Sequence, residues 1–158
     1  MDLPKRKPNR LVEYDYSTPN AYFITICTKS RKNFFWTDAS ANVASADEIP
    51  LTAYGRIVRQ AIMDIPRHYP GVSVDQFVVM PNHVHLLMQI HSGHDGYPIS
   101  VPTTSSMINQ LKGAVTKKIG VSIWQKGFYD HVVRGDNDYQ EIWRYIQGNP
   151  GRQTEDKL

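Results

Sequence analysis

Apolar positions along the chain predict four β-strands. Residues 21–30 are rich in aromatic and β-branched side chains in alternating positions, which is typical of a strand. Two further apolar runs, 71–80 and 83–90, are separated by a break at Pro81, and a fourth strand is predicted around 129–134. The two central runs are therefore expected to form a hairpin.

Apolar residues at helical spacing predict three helices. The first begins at Thr52, whose side chain can cap it, and runs to about His68 with Pro66 late in it. The second spans about 105–119, and the third spans about 137–149 before a Pro-Gly pair. Strands and helices are therefore interspersed along the chain.

This order of elements predicts an α+β fold. We expect an antiparallel β-sheet of the ferredoxin-like or RRM-like kind, with the helices packed on it. Segment 37–50 is small and polar and is predicted to be a loop or a short hairpin, and segment 91–102, rich in Gly and Pro, is predicted to be a loop. A length of 158 residues corresponds to about one domain, so a single domain over 1–158 is expected.

Composition and charge narrow the functional classes. No apolar run approaches the roughly 20 residues that a membrane span needs, so no membrane partner is expected. One cysteine, Cys27, excludes an internal disulfide framework.

The formal net charge of +3 is too small to prove a nucleic-acid partner. Residues 1–15 nevertheless form a basic arm, which either binds phosphates or only keeps the protein soluble. Its basic residues are Lys5, Arg6, Lys7 and Arg10.

Two histidines, His83 and His85, interrupt the third apolar run. Because side chains alternate along a strand, both point to the same face and can converge on one divalent cation. The alternative is two unrelated histidines on a solvated face. A catalytic metal usually takes about three protein ligands, so a third ligand is expected elsewhere. The candidates are His91, His94, His131, Asp130, Asp136, Gln147 and Asn149.

The last predicted helix carries a second pair of candidate residues. Tyr145 and Asn149 are four residues apart and therefore lie one turn apart on the same side. A helix tyrosine is more often a packing residue, and an asparagine before proline is often only a helix stop. Taken alone, neither residue indicates chemistry.

Together these features resemble a known family, the HUH single-strand DNA transposases with one catalytic tyrosine. Within it, the sequence is most similar to the IS200-like branch of REP-associated tyrosine transposases. The resemblance rests on "FVVMPNHVHLL" followed about sixty residues later by "YIQGNP". It extends over nearly the whole chain through "YDYSTPNAYFITICTKSRKNFF", "AYGRIVRQAI", "LKGAVTKKI" and "IWQKGFYDHVVR". At Gly148 and Gln153 the sequence departs from the larger residues that family members often have.

The resemblance implies roles for four residues. His83 and His85 would bind a divalent metal, Mg²⁺ or Mn²⁺, and Asn149 would complete that site. Tyr145 would be the nucleophile that forms a 5′-phosphotyrosine with single-stranded or hairpin DNA. The family also implies a cytoplasmic, nucleoid-associated prokaryotic protein. Members exist as homodimers and as monomers, and the sequence does not decide between these or whether Tyr145 acts in its own subunit.

Several further residues are candidate DNA contacts. Basic residues that would contact phosphates are the N-terminal arm, Lys112, Lys117, Lys118, Lys126 and Arg134. Aromatic residues that would stack on bases are Trp124, Phe128 and Tyr129. The alternatives are a solvated helix face for the lysines and core packing for the aromatic side chains.

Two rival functions remain open at this point. One is a non-catalytic RRM-like module that binds single-stranded nucleic acid, although the aromatic run typical of such modules is absent. The other is a metal-dependent phosphoesterase that uses water as the nucleophile. The latter predicts activity that survives Tyr145→Phe.

Overall fold

A computed structural model describes residues 20–44, 48–91 and 103–150. Its strands are β1 (Asn20–Cys27), β2 (Val72–Val79), β3 (His83–Ile90) and β4 (Tyr129–Val132). Its α-helices are α1 (Ala53–Met63), α2 (Ile65–His68), α3 (Thr104–Ile119) and α4 (Asp136–Gly148), and a 3-10 turn spans Lys29–Arg31. Among the helices of these residues, none is long and apolar enough to cross a membrane.

The four strands form one antiparallel sheet in the order β2-β3-β1-β4. With α1 between β1 and β2, and α3 between β3 and β4, this is the split βαβ arrangement of the ferredoxin-like fold. The α+β prediction is therefore confirmed, and the predicted central hairpin corresponds to β2 and β3. The additional helix α4 follows β4.

The two faces of the sheet differ in character. Thr25 pairs with His85, and Cys27 pairs with His83, so these side chains share one face, here called the histidine face. In the two central strands the opposite face is apolar and fully buried, and its side chains belong to the same core cluster as the buried apolar residues of α1 and α3. Its residues in β1 and β3 are Tyr22, Ile24, Ile26, Val84, Leu86 and Met88. The apolar core thus anchors the central strands from the side that the histidines do not occupy.

The predicted helix 52–68 is interrupted at Asp64. As predicted, Thr52 caps it, because its side chain accepts a hydrogen bond from Gly55 N at 3.0 Å. Proline has no N–H, so Pro66 cannot donate to the carbonyl of Ile62 four residues earlier. α1 therefore ends at Met63, and a single turn, α2, starts at Ile65.

Gly55 provides the first testable prediction. A Cβ at this position would lie 2.4 Å from the Phe35 carbonyl oxygen, which is itself held by a hydrogen bond from Thr52 N. Gly55→Ala is expected to lower the free energy of unfolding by about 3 kcal/mol, because the backbone would have to move. A Cβ on Gly113 in α3 would meet no atom within 4 Å outside the backbone of its own helix. Gly113→Ala should therefore raise the free energy of unfolding by about 0.5–1 kcal/mol. Urea denaturation compares the two variants, and equal effects would contradict the close packing at Gly55.

Candidate active site

The histidine pair lies at the start of the inner strand β3 and is almost completely enclosed. His83 is 3% exposed and His85 is 0% exposed. Their ring centroids are 4.7 Å apart, and the ring planes cross at 71°. The predicted convergence of the two imidazoles on one face is therefore present in the fold, and the alternative of a solvated sheet face is wrong.

Each imidazole is oriented by a hydrogen bond at Nδ1. His83 Nδ1 lies 2.7 Å from Asn82 Oδ1, and His85 Nδ1 lies 2.8 Å from Thr25 Oγ1. The Asn82 amide donates through Nδ2 to the Arg31 carbonyl at 3.1 Å, which leaves Oδ1 as the acceptor toward His83. His83 therefore carries its proton on Nδ1, and Nε2 is the nitrogen through which it would bind a metal.

Tyr145 lies on α4 against this pair. Its ring centroid is 5.4 Å from that of His85 and 6.0 Å from that of Phe23, in both cases with steeply inclined planes. The side chain is half-buried, with its ring in the core cluster around the sheet. The helix tyrosine and His85 are thus brought into direct contact, although sixty residues separate them in the sequence.

A second contact, near the start of α4, fixes the direction of this helix. Tyr139 donates its hydroxyl to Asp75 of β2 at 2.6 Å, and the same carboxylate accepts hydrogen bonds from Ser73 and Gln89. Along β3, Tyr139 is therefore beside Gln89 and Tyr145 is beside His85, so α4 runs antiparallel to β3. The next helical turn, about 6 Å further on, extends toward His83.

Asn149 occupies that next turn. It is the C-cap of α4, has helical dihedral angles (φ −61°, ψ −41°) and is 1% exposed. Its side-chain oxygen and nitrogen are both buried, and neither has a hydrogen-bond partner among the described residues. An unpaired buried amide costs about 1–3 kcal/mol. A bound ligand could satisfy both atoms of this amide.

The residues around the histidine pair fit a divalent cation. In the described part of the chain, no group of three or more His, Cys, Asp and Glu side chains could hold a metal ion. Among the described residues, a third protein ligand to His83 and His85 would be of another type, and the unpaired amide of Asn149 is of such a type. Two imidazoles and an amide oxygen suit a cation that accepts both nitrogen and oxygen ligands.

The Tyr139–Asp75 contact also shifts the ionisation of both groups. Burial raises the pKa of the Tyr139 phenol to about 12, and its hydrogen bond to Asp75 acts in the same direction. Burial alone would raise the pKa of Asp75, but the hydrogen bonds from Tyr139, Gln89 and Ser73 outweigh it and lower that pKa overall. Ionised Asp75 is therefore the form that holds α4 on the sheet.

Tyr139→Phe is expected to lower the free energy of unfolding by about 1–2 kcal/mol at pH 7, because a hydrogen bond to a carboxylate is lost. The pKa of Asp75 is lower in the folded than in the unfolded protein, so its contribution is present above about pH 4 and is lost as the pH falls further. Urea unfolding at pH 7 and pH 3 should show the difference from wild type shrinking at the lower pH. Tyr54→Phe on α1 is the control, and a difference that is independent of pH would contradict the role of Asp75.

The candidate DNA contacts fall into three groups. Four basic candidates are exposed, namely Lys117, Lys118, Lys126 and Arg134. Those of the N-terminal arm lie outside the described residues, namely Lys5, Arg6, Lys7 and Arg10. Lys112 donates to the carbonyls of Gln125 and Gly127, both at 2.8 Å, and burial lowers the pKa of its ammonium group. Trp124 is 5% exposed and packs near Phe35 in the core, as the packing alternative predicted, and Phe128 is also buried.

Three other candidate ligands have contacts away from the histidine pair or lie in undescribed segments. His131 Nε2 is 2.7 Å from Asp138, whose carboxylate also accepts the Arg134 N–H at 2.9 Å at the start of α4. His91 Nε2 lies 3.1 Å from Ser73 Oγ, and His94 lies outside the described residues. His131 therefore stabilises the beginning of α4, which agrees with a structural role rather than metal binding.

The contacts of Thr25, Asn82 and the Tyr139–Asp75 pair around the candidate site are not evident from the sequence. In the sequence Asn82 indicates only a strand break, although its place beside His83 is a usable signal. Thr25 becomes a partner of His85 only through the register of β1 with β3, which a single sequence does not specify. The same holds for Asp75, which lies at the irregularity between Val74 and Gln76 in β2.

Comparison with known proteins identifies the family of the chain. Residues 18–149 match the family described as IS200-like transposases. An uncharacterized protein of Haemophilus influenzae is 30% identical over 97% of this chain and 92% of its own length. The REP-associated tyrosine transposase of Escherichia coli is 31% identical over 63% of this chain and 56% of its own length. In fold, the chain is similar to a REP-associated tyrosine transposase bound to a REP hairpin, with a TM-score of 0.63, 23% identity, and coverage of 91% of this chain and 74% of the other. The match over most of its length shows that the chain belongs to the IS200-like transposase family.

Proposed function

We propose that this transposase is a metal-dependent single-strand DNA endonuclease and strand-transferase that acts through a 5′-phosphotyrosine at Tyr145. The observation that carries the proposal is the contact of Tyr145 with His85, combined with the unpaired buried amide of Asn149 one turn further along α4. Nucleophile and candidate ligands thus lie on one face of the sheet. A water-dependent phosphoesterase would give a helix tyrosine no role in this position.

His83, His85 and Asn149 would hold the cation, in line with the general use of divalent metals by HUH-type transposases. When bound, it neutralises charge on the phosphate oxygens and favours in-line attack. Mn²⁺ suits a donor set of two nitrogens and one oxygen better than Mg²⁺, which prefers oxygen ligands. The hydrogen bonds of Asn82 to His83 Nδ1 and of Thr25 to His85 Nδ1 would hold the imidazoles in the orientation that metal binding requires.

In the reaction, the Tyr145 oxygen attacks the phosphorus while the bond to the 3′ oxygen breaks. The phenol loses its proton, and the leaving oxygen gains one to become a free 3′-OH. The 5′ phosphate stays on Tyr145 as a diester, so no phosphodiester energy is lost to water. A later 3′-OH can displace Tyr145 and rejoin strands without ATP, which explains why a tyrosine replaces water as the nucleophile.

Hairpin DNA is the substrate that we infer. A solved protein of the same fold is bound to a REP hairpin. A tyrosine half-buried against the sheet can reach a phosphate only when the strand is free to bend into the site. Such a substrate would also place the chain in the cytoplasm with the chromosome.

A covalent-adduct experiment tests the proposal. Hairpins from the DNA that flanks the gene, labelled separately on either side of the expected cut, are incubated with protein and Mn²⁺ or Mg²⁺ and run on a denaturing gel. We expect a metal-dependent protein adduct that retains only the label on the 5′-phosphate side. Cleavage without an adduct would favour the water-dependent phosphoesterase. Binding without cleavage on every hairpin would favour a non-catalytic module.

A further inference from the structure

The turn after β1 has an unusual backbone next to the candidate site. Ser30 (φ 54°) and Arg31 (φ 54°) both adopt the left-handed conformation, and neither is glycine. This conformation costs roughly 1–2 kcal/mol per residue for L-amino acids. Strain of this kind persists where surrounding contacts enforce it, and it is concentrated at ligand-binding positions.

Hydrogen bonds connect this turn to His83 through Asn82. The carbonyl of Arg31 accepts from Asn82 Nδ2 at 3.1 Å, and the same amide orients the His83 imidazole through Oδ1 at 2.7 Å. Thr28 Oγ1 donates to both the Lys32 carbonyl at 2.8 Å and the Asn82 carbonyl at 3.0 Å. One side chain, Asn82, therefore separates the turn from a candidate metal ligand.

The same turn is strongly basic. Lys29 and Lys32 are exposed, and the buried Nε of Arg31 has no hydrogen-bond partner among the described residues. Lys126 is also exposed at this end of the sheet, where Gln125 N donates to the carbonyl of Cys27. Two exposed lysines beside a partly buried arginine concentrate positive charge at this turn, and Lys and Arg are the side chains that bind phosphate.

We propose that the turn Lys29–Lys32 binds a backbone phosphate of single-stranded DNA, within one or two nucleotides of the phosphate that Tyr145 attacks. The inference rests on the proposed function, since it takes the histidine pair as the place of cleavage. The Asn82 amide contacts both the turn and His83, so binding of phosphate at the turn and orientation of the His83 imidazole are coupled. The strained backbone is then the conformation that presents these cations beside the site.

The test compares two charge-matched double variants, each in a Tyr145→Phe background so that the DNA stays intact. Lys29→Gln/Lys32→Gln removes two cations from the turn, and Arg59→Gln/Arg67→Gln removes two exposed cations from α1 and α2. Hairpin affinity is measured by fluorescence anisotropy over a range of salt concentrations. Loss of the contact to one phosphate should reduce the slope of log K against log salt by about 0.7, the value for one phosphate on a single strand. The control double variant should keep the slope of the parent.

Neutral methylphosphonates placed singly near the cleavage site then locate the contact. One position should weaken binding to the parent protein and have no effect on Lys29→Gln/Lys32→Gln. If wild type forms the adduct but the slope and the methylphosphonate profile are unchanged in the turn variant, the inference is wrong and the proposed function stands. If wild type forms no adduct on any hairpin, the proposed function is wrong, and the assigned position of the contact is wrong with it.

Discussion

Replacing Tyr145 with phenylalanine is expected to abolish the covalent adduct and to lower strand cleavage by at least about 10³-fold, because the variant has no nucleophilic oxygen. The ring that contacts His85 and Phe23 is retained, so the fold and the hairpin affinity should stay close to those of wild type. Adduct formation is measured on denaturing gels and affinity by anisotropy. The combination of full binding with no adduct is the expected result.

Tyr69→Phe, at the end of α2, is the matched control because it removes a phenolic oxygen away from the histidine face. It should form the adduct at the wild-type rate. Cleavage that continues at full rate in Tyr145→Phe would show that water is the nucleophile. An adduct that persists in this variant would assign the covalent link to another residue.

Asn149→Leu is expected to change activity and stability in opposite directions. The substitution replaces an unpaired buried amide with an apolar side chain of similar size, so the metal-free protein should gain about 1–2 kcal/mol in free energy of unfolding. Loss of the third ligand should reduce metal-dependent cleavage by about 100-fold or more. Denaturation without metal and cleavage over a range of Mn²⁺ concentrations measure the two effects.

Two comparisons make this result specific to the buried amide. Asn137→Leu removes an exposed amide from the first turn of α4 and should leave cleavage unchanged. Asn149→Asp should keep a metal-binding oxygen but destabilise the metal-free fold, because it buries an unpaired carboxylate. Equal stability of Asn149→Leu and wild type would argue that the amide has partners in solution.

The sheet and the histidine pair were predictable because they follow from local alternation. In "HVHLL" the period of two determines which side chains share a face, whatever the rest of the chain does. Thr25 and Asp75 were not predictable for the opposite reason. Their contacts depend on strand register and on where α4 crosses the sheet, which are long-range properties.

Burial separates residues that a sequence cannot distinguish. Basic and aromatic residues look alike in a sequence whether they face DNA or hold the fold together. The Lys112 ammonium group donates hydrogen bonds to two carbonyls of the 125–127 segment, and Trp124 packs near Phe35. The basic turn at Lys29–Lys32, by contrast, has no distinctive sequence pattern, because its strain and its link to Asn82 are properties of the fold.

The position of α4 has a consequence for biosynthesis. This helix is the most C-terminal of the described elements, and it carries both the candidate nucleophile and one candidate ligand. If Tyr145 is the nucleophile, as proposed, a nascent chain would have its histidines before it has the tyrosine with which to cut. Cleaving ability would arise only when the final helix has left the ribosome and docked on the sheet. A polypeptide truncated before that helix would be harmless to the genome that encodes it.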